Sequence, residues 1–177
     1  MHSESRSRPE LLTPSEQEEW QELLFDSCSQ CGRCSLICPM GIEVAEMIEI
    51  GRRGMAAAGL APKPLMDRAK HQAETGQPEE SDRPYSEVLQ DIARDHDLNV
   101  ALDKDKADIL LCLPRTDLEQ NPESVAAMIK IFNKLGVSYT FRSDALIAEN
   151  YGYYAGSRGL QKRITKRITD AAKKLGA

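Results

Sequence analysis

Four of the chain's five cysteines lie within eleven residues, at the spacing C-x2-C-x2-C-x3-C-P. This run constrains the fold more than any other feature of the sequence, because the bacterial ferredoxins use the same spacing to bind an iron-sulfur cluster. Gaps of only two residues make the backbone wrap around a compact cluster, and Gly32 permits the positive φ that such a wrap needs. The run therefore predicts a [4Fe-4S] cluster whose candidate iron ligands are Cys28, Cys31, Cys34 and Cys38.

Zinc and disulfides are the two alternatives for these cysteines. Structural zinc usually takes two C-x2-C pairs separated by a dozen or more residues, whereas the pairs here overlap. Disulfides persist in oxidising compartments, but the first residues, 1–6, contain no apolar signal segment. We therefore favour the cluster and expect a cytoplasmic protein, with any membrane association made through a partner.

Composition limits the classes of partner. The net charge is -5 and the isoelectric point is about 5.3, which disfavours binding to nucleic acid, since that depends on Lys and Arg neutralising phosphates. No apolar run approaches the roughly 18 to 20 residues that cross a bilayer, so we expect no direct membrane insertion.

The amino-terminal half has helical patterns on both sides of the cysteines. Residues 1–12 are predicted to form a flexible tail, and residues 13–76 a helical, ferredoxin-like iron-sulfur domain. Thr13 and Glu16 predict a capping box at the start of its first helix. Trp20, Leu23 and Leu24 follow at helical spacing and predict one apolar face. Two further helices are expected over about 42–55 and 65–74.

The pattern of the carboxy-terminal half is different. Residues 77–104 are interpreted as a linker with one helix, and residues 105–177 as a small α/β domain. The apolar run Ile109–Leu113 predicts a strand buried on both faces, a helix begins near Asn121, and Val137–Phe141 predicts a second strand. Strand, helix and strand at this spacing indicate a parallel βαβ unit. A last helix is expected over about 157–175, so the fold class is α+β overall.

The arrangement of helix, cysteine loop and helix resembles the iron-sulfur subunit with an alpha-helical ferredoxin domain that is found in heterodisulfide reductases and related iron-sulfur oxidoreductases. In that family the cysteine run normally occurs twice and holds two [4Fe-4S] clusters. This sequence has one run, with no cysteine between Leu65 and Pro84, where a second is expected. This departure from the family pattern predicts one [4Fe-4S] cluster here.

The carboxy-terminal half is similar to the domain that follows in fused members of the same family. The similar segments are 107–111, 121–123 and 150–154. In cysteine-rich versions of that domain, paired cysteines bind a catalytic cluster, but Arg115 stands near the first expected cysteine here. The resemblance implies a degenerate cysteine-rich domain without the disulfide-reducing chemistry.

The fourth ligand of the cluster is left open by the sequence. In two-cluster ferredoxins, the last cysteine of such a run binds the other cluster. Cys38 is the favoured fourth ligand, because no other thiol is near in sequence. Cys112, a partner residue or an open iron site are the alternatives, and the more ordinary role of Cys112 is that of a small buried hydrophobic residue.

These features predict an electron-transfer subunit that relays single electrons within a heterodisulfide-reductase-like complex. The alternative is a structural or assembly subunit whose cluster only stabilises the fold. The expected partners are other redox subunits that carry flavin, molybdenum or iron-sulfur centres. No catalytic residues are predicted, because no nucleophile and base pair or nucleotide-binding glycine loop is present. Arg33 is a candidate for raising the cluster's potential, or merely an exposed loop residue.

Overall fold

The computed structural model describes residues 13–144 and 147–177, so the predicted tail over residues 1–12 lies outside the described residues. About 60% of the structure is helical, and it contains a small parallel sheet of two strands, consistent with the predicted α+β class. The helices are α1 (Pro14–Gln21), a π-helical turn (Glu22–Asp26), α2 (Arg33–Ile37), α3 (Val44–Ala57), α4 (Lys63–Thr75), α5 (Tyr85–Asp95), α6 (Arg115–Gln120), α7 (Pro122–Leu135), α8 (Tyr151–Tyr154) and α9 (Arg158–Leu175). The strands are β1 (Ile109–Leu110) and β2 (Tyr139–Thr140).

The predicted capping box at the start of α1 is confirmed. The hydroxyl of Thr13 accepts a hydrogen bond from the Glu16 amide at 3.3 Å, and the Thr13 amide donates to the Glu16 carboxylate at 2.7 Å. These two bonds satisfy backbone donors that have no partner within the helix. The chain therefore enters α1 in a defined direction, toward the cysteine loop.

The apolar face predicted for this first helix is only partly correct. Leu24 is buried against Gly51 of α3, whereas Trp20 and Leu23 are 43% and 51% exposed. The physical reason is the π-helical turn, because it breaks the periodicity of 3.6 residues that places i, i+3 and i+4 on one face. The Leu24 side chain is the buried apolar contact between this segment and α3.

The predicted parallel βαβ arrangement is confirmed. Strand β1 pairs in parallel with β2, with Ile109 opposite Tyr139. The strands are shorter than predicted, and Ile109 is 38% exposed rather than buried, because its face of β1 is not covered by packing among the described residues. A helix that the sequence analysis missed, α6, lies between β1 and α7.

The main hydrophobic core brings α5 together with the βαβ unit. Tyr139 is fully buried and packs against Phe132 with ring centroids 5.3 Å apart. The hydroxyl of Tyr85, in α5, donates to the Leu113 carbonyl at 3.0 Å. The buried members of this core are Tyr85, Val88, Leu89, Ile92, Leu118, Val125, Ala126, Ile129, Tyr139 and Phe141.

A second region of packing joins α4 to α8 and α9, near the cysteine loop. The buried Gln72 amide donates to the Glu149 carbonyl at 2.6 Å and accepts from the Tyr151 amide at 3.0 Å. The Arg167 guanidinium donates to the Glu74 and Thr75 carbonyls at 2.8 and 2.9 Å, at the carboxy terminus of α4. Helix α4 is thus bonded to the start of α8 and to α9. The predicted domain boundaries stay a prediction.

Over residues 13–144 and 147–177, no helix combines the length and the hydropathy that crossing a membrane requires.

The contact between α8 and α9 gives a stability prediction. A Cβ atom on Gly152 would lie 2.3 Å from the Gln161 amide nitrogen, which is backbone and cannot move aside cheaply. Gly152→Ala is therefore expected to lower the free energy of unfolding by about 3 kcal/mol, as overpacking does. Urea denaturation followed by circular dichroism measures this change.

Gly159→Ala is the matched control, because a Cβ atom there meets nothing within 4 Å. Its expected effect is a stabilisation of about 0.5 to 1 kcal/mol, from the higher helix propensity of alanine. Equal stability of the two alanine variants would contradict the close packing of α8 on α9.

Candidate metal centre

The four cysteines of the run lie on one surface-exposed segment between the π-helical turn and α3. Cys34 lies inside α2, and Cys38 caps its carboxy terminus. Cys31 and Cys34 are exposed, whereas Cys28 and Cys38 are partly buried. All four are free thiols, so none is consumed by a disulfide.

The thiols are not gathered into a metal-binding group. Among the residues that the structure describes, no three His, Cys, Asp or Glu side chains are placed to hold one metal ion. Convergence on a cluster therefore requires a rearrangement of the loop and of cysteine rotamers. The segment allows this, because α2 is a single short helix with no buried residue.

The backbone of the loop adopts two left-handed conformations. Gly32 has φ +75°, as its predicted role requires, and it also caps α2. Gln30 has φ +56°, which is uncommon for a residue with a side chain. Its amide lies 3.4 Å from the Cys28 sulfur and donates to it. Strained backbone of this kind concentrates at functional sites, and here it turns an amide toward a candidate ligand.

The environment of Cys31 favours the ionised form of its thiol. The Arg33 amide and the Ser29 hydroxyl donate to its sulfur, and the Arg33 charge adds to this, so the pKa of Cys31 lies below its usual value. The thiolate is the form that binds iron.

Arg52 of α3 lies behind the loop and is only 3% exposed. Its Nε donates to the Leu24 carbonyl at 2.7 Å, and an Nη donates to the Cys28 carbonyl. The other Nη donates to the Gln30 side-chain oxygen at 3.0 Å and to the Tyr154 carbonyl at 3.1 Å. Arg52, itself in α3, therefore joins the cysteine loop to the π-helical turn and to α8.

The Gln30 side chain carries a donor that has no partner. Because a guanidinium only donates, Arg52 fixes the Gln30 oxygen toward itself and leaves the Gln30 Nε2 on the other side. That nitrogen is buried and makes no hydrogen bond within the described residues. A buried donor without an acceptor is costly, and an anionic sulfur of a cluster is an acceptor of the kind it lacks.

The donor set therefore fits an iron-sulfur cluster in kind. It provides four free thiols, one with a lowered pKa, together with an unpaired amide donor and a buried cation. Cys112 is outside this set: it is partly buried, and burial raises the pKa of its thiol. Arg33 is exposed and acts on Cys31 as described above.

Sequence reasoning missed Gln30 and Arg52. No pattern marks Gln30 as strained, since its conformation depends on the loop. The only available signal for Arg52 was a charged residue on the side of α3 that is turned toward the rest of the protein.

A comparison with protein-family models identifies the same segment. The model for a 4Fe-4S dicluster domain matches residues 4–43, which include all four cysteines of the run. The match supports iron-sulfur cofactor binding. The match does not settle the number of clusters, because the family model describes two clusters whereas the chain has five cysteines in total.

Curated relatives extend the similarity across most of the chain. An Hdr-like menaquinol oxidoreductase iron-sulfur subunit of Archaeoglobus profundus is 29% identical over 174 residues, covering 90% of this chain and 30% of the relative. An Hdr-like menaquinol oxidoreductase iron-sulfur subunit 2 of Archaeoglobus fulgidus is 28% identical over 163 residues, covering 84% of this chain and 29% of the relative. The chain thus spans about 30% of the length of these relatives.

No solved structure matches the chain significantly. The predicted resemblance to heterodisulfide-reductase-like iron-sulfur proteins is confirmed by the family model and by both relatives.

The lowered pKa of Cys31 gives a prediction about thiol reactivity. In iron-free, reduced protein at pH 7, Cys31 is expected to react with iodoacetamide about tenfold faster than Cys112, because more of it is thiolate. As the pH rises, the rate at Cys31 should reach its plateau first. Mass spectrometry of digested samples, taken at intervals, measures both rates, and Cys112→Ser controls for peptide assignment. Equal rates at the two thiols would contradict the electrostatic account of the loop.

Proposed function

We propose that this chain is an electron-transfer subunit that relays single electrons through one [4Fe-4S] cluster. The observation that carries the proposal is the single cysteine run on an exposed segment, beside an unpaired amide donor and a buried cation. The proposed iron ligands are Cys28, Cys31, Cys34 and Cys38. Only Cys112 remains outside the run, so the chain cannot supply a second set of four thiolates.

The residues of the loop have separable roles in this proposal. When bound, the cluster supplies the one-electron chemistry. The amide of Arg33 and the Ser29 hydroxyl favour the thiolate of Cys31, and the left-handed backbone at Gln30 directs an amide at the Cys28 sulfur. Hydrogen bonds to sulfur and local charge set the potential of such centres. No residue of the chain is assigned a catalytic role.

Exposed apolar side chains beside the cysteines support a position within a larger complex. Leu36 and Ile37 of α2 are 87% and 74% exposed, and the adjacent Met40 is 79% exposed. Clustered exposed apolar residues mark protein-protein contacts. Both relatives are named as subunits of a menaquinol oxidoreductase, and we propose that redox subunits with flavin, molybdenum or iron-sulfur centres cover this surface.

The cellular location of the subunit is part of the same proposal. We propose a cytoplasmic subunit that reaches the membrane through such a partner.

A structural role for the cluster is the second candidate. Arg52 already bonds the loop to the π-helical turn and to α8, so a cluster there would lock these elements together whether or not it passed electrons. Structural metal centres contribute folding free energy in this way.

A redox titration followed by electron paramagnetic resonance separates the two candidates. A relay is expected to give a reversible one-electron signal in anaerobically purified protein, with a single midpoint potential. A cluster that is reduced only as the protein unfolds, seen as loss of helical circular dichroism, would contradict the relay and favour the structural role.

Replacement of single cysteines tests the proposed ligands. Cys28→Ser, Cys31→Ser and Cys34→Ser are each expected to lose most of the bound iron, because a hydroxyl is a poor ligand for this cluster. Cys38→Ser is expected to do the same if Cys38 is the fourth ligand. Iron and acid-labile sulfide analysis measures the loss.

Cys112→Ser is the control and is expected to keep the wild-type iron content. Iron loss in Cys112→Ser together with retention in Cys38→Ser would contradict the proposed ligand set.

A further inference from the structure

Arg52 is a buried cation whose hydrogen-bond partners are all formally neutral oxygen atoms, and its guanidinium lies 5.3 Å from the centroid of the neutral Phe25 ring. Its guanidinium donates to the carbonyls of Leu24, Cys28 and Tyr154 and to the side-chain oxygen of Gln30. Among the described residues, no carboxylate forms an ion pair with it. A buried charge usually has an opposite charge beside it, so this arrangement needs a reason.

The contacts of Arg52 fix the start of the cysteine loop from behind. It binds the carbonyl of the first candidate ligand, Cys28, and the side chain of Gln30 two residues further on. It also holds the Leu24 carbonyl, in the π-helical turn that leads into the loop. The rigid fork of an arginine can serve these acceptors together, whereas the single ammonium group of a lysine cannot.

The same contacts place a positive charge next to the proposed cluster. A [4Fe-4S] cluster with four thiolates is anionic, and reduction adds a further negative charge. An uncompensated cation in a poorly hydrated position stabilises the reduced form more than the oxidised form. An arginine stays charged at neutral pH even when it is buried.

We infer that Arg52 is a positioning residue for the iron-sulfur centre: it anchors the loop at Cys28 and Gln30 while the rest of the loop closes on the cluster, and its buried charge raises the potential of the cluster. The inference rests on the proposed function, because it requires the cluster. It assigns to α3 a role that the cysteine run itself does not reveal.

Two variants separate the geometric contribution from the charge. Arg52→Lys keeps the charge but loses the fork, so the cluster is expected to release iron to a chelator about tenfold faster while its potential stays close to that of the wild type. Arg52→Met loses both, so the equilibrium constant for one-electron reduction is expected to fall about tenfold, which corresponds to about 59 mV. Anaerobic iron release to a coloured chelator and a redox titration measure the two effects.

Arg53→Met is the matched control, since it removes a charge from the next position of the same helix. Arg53 pairs with Glu49 at 3.6 Å and makes no bond to the loop. This variant is expected to match the wild type in iron release and to shift the reduction equilibrium less than twofold. An unchanged potential in Arg52→Met would overturn the inference, as would an iron release rate in Arg52→Lys equal to that of the control.

Failure of variants to take up a cluster is also decisive. If both Arg52 variants keep native helical circular dichroism but bind no iron, while Arg53→Met is loaded, the positioning role is supported. If both lose their helical signal, Arg52 has a structural role alone and the inference fails. A wild-type protein without iron would overturn the proposed function itself, independently of Arg52.

Discussion

The position of the cysteine loop depends on one set of hydrogen bonds, those of the Arg52 guanidinium. They join the π-helical turn, the cysteine loop and α8 at a single buried point. The segment after α8 also packs closely against the backbone of Arg52. Gly156 in this segment has φ +71°, and a Cβ atom on it would lie 2.4 Å from the Arg52 carbonyl oxygen. An exposed loop that makes few contacts of its own therefore has a fixed base.

This arrangement divides the cysteine segment into a held part and a free part. Cys28 lies on the held side, whereas Cys31 and Cys34 are exposed on a loop and a one-turn helix without buried residues. The free part can close around iron and sulfide, and the exposed side chains beside it, such as Leu36, can meet a partner. Electron transfer between proteins needs a centre that is both close to the surface and held in a defined position. The held part gives the centre a defined position, and the free part keeps it close to the surface.

Local signals in the sequence were enough to predict much of the fold. The capping box at Thr13 and the parallel pairing of β1 with β2 depend on short patterns, and both are confirmed. The exposure of Trp20 follows from the π-helical turn, and the shortness of the strands follows from tertiary packing; neither leaves a local pattern in the sequence. The candidate ligands could be predicted because they form one contiguous run. Arg52 could not, because its contacts join residues that are far apart in sequence, up to more than a hundred positions away at Tyr154.

The central claim is that the segment from Cys28 to Cys38 holds one [4Fe-4S] cluster. Mössbauer spectroscopy of anaerobically prepared, 57Fe-enriched protein tests it most directly, combined with iron, zinc and acid-labile sulfide analysis. The account predicts about four irons and four sulfides per chain, in a single cubane cluster. A chain that contained zinc without sulfide, or the iron of two cubane clusters, would contradict it.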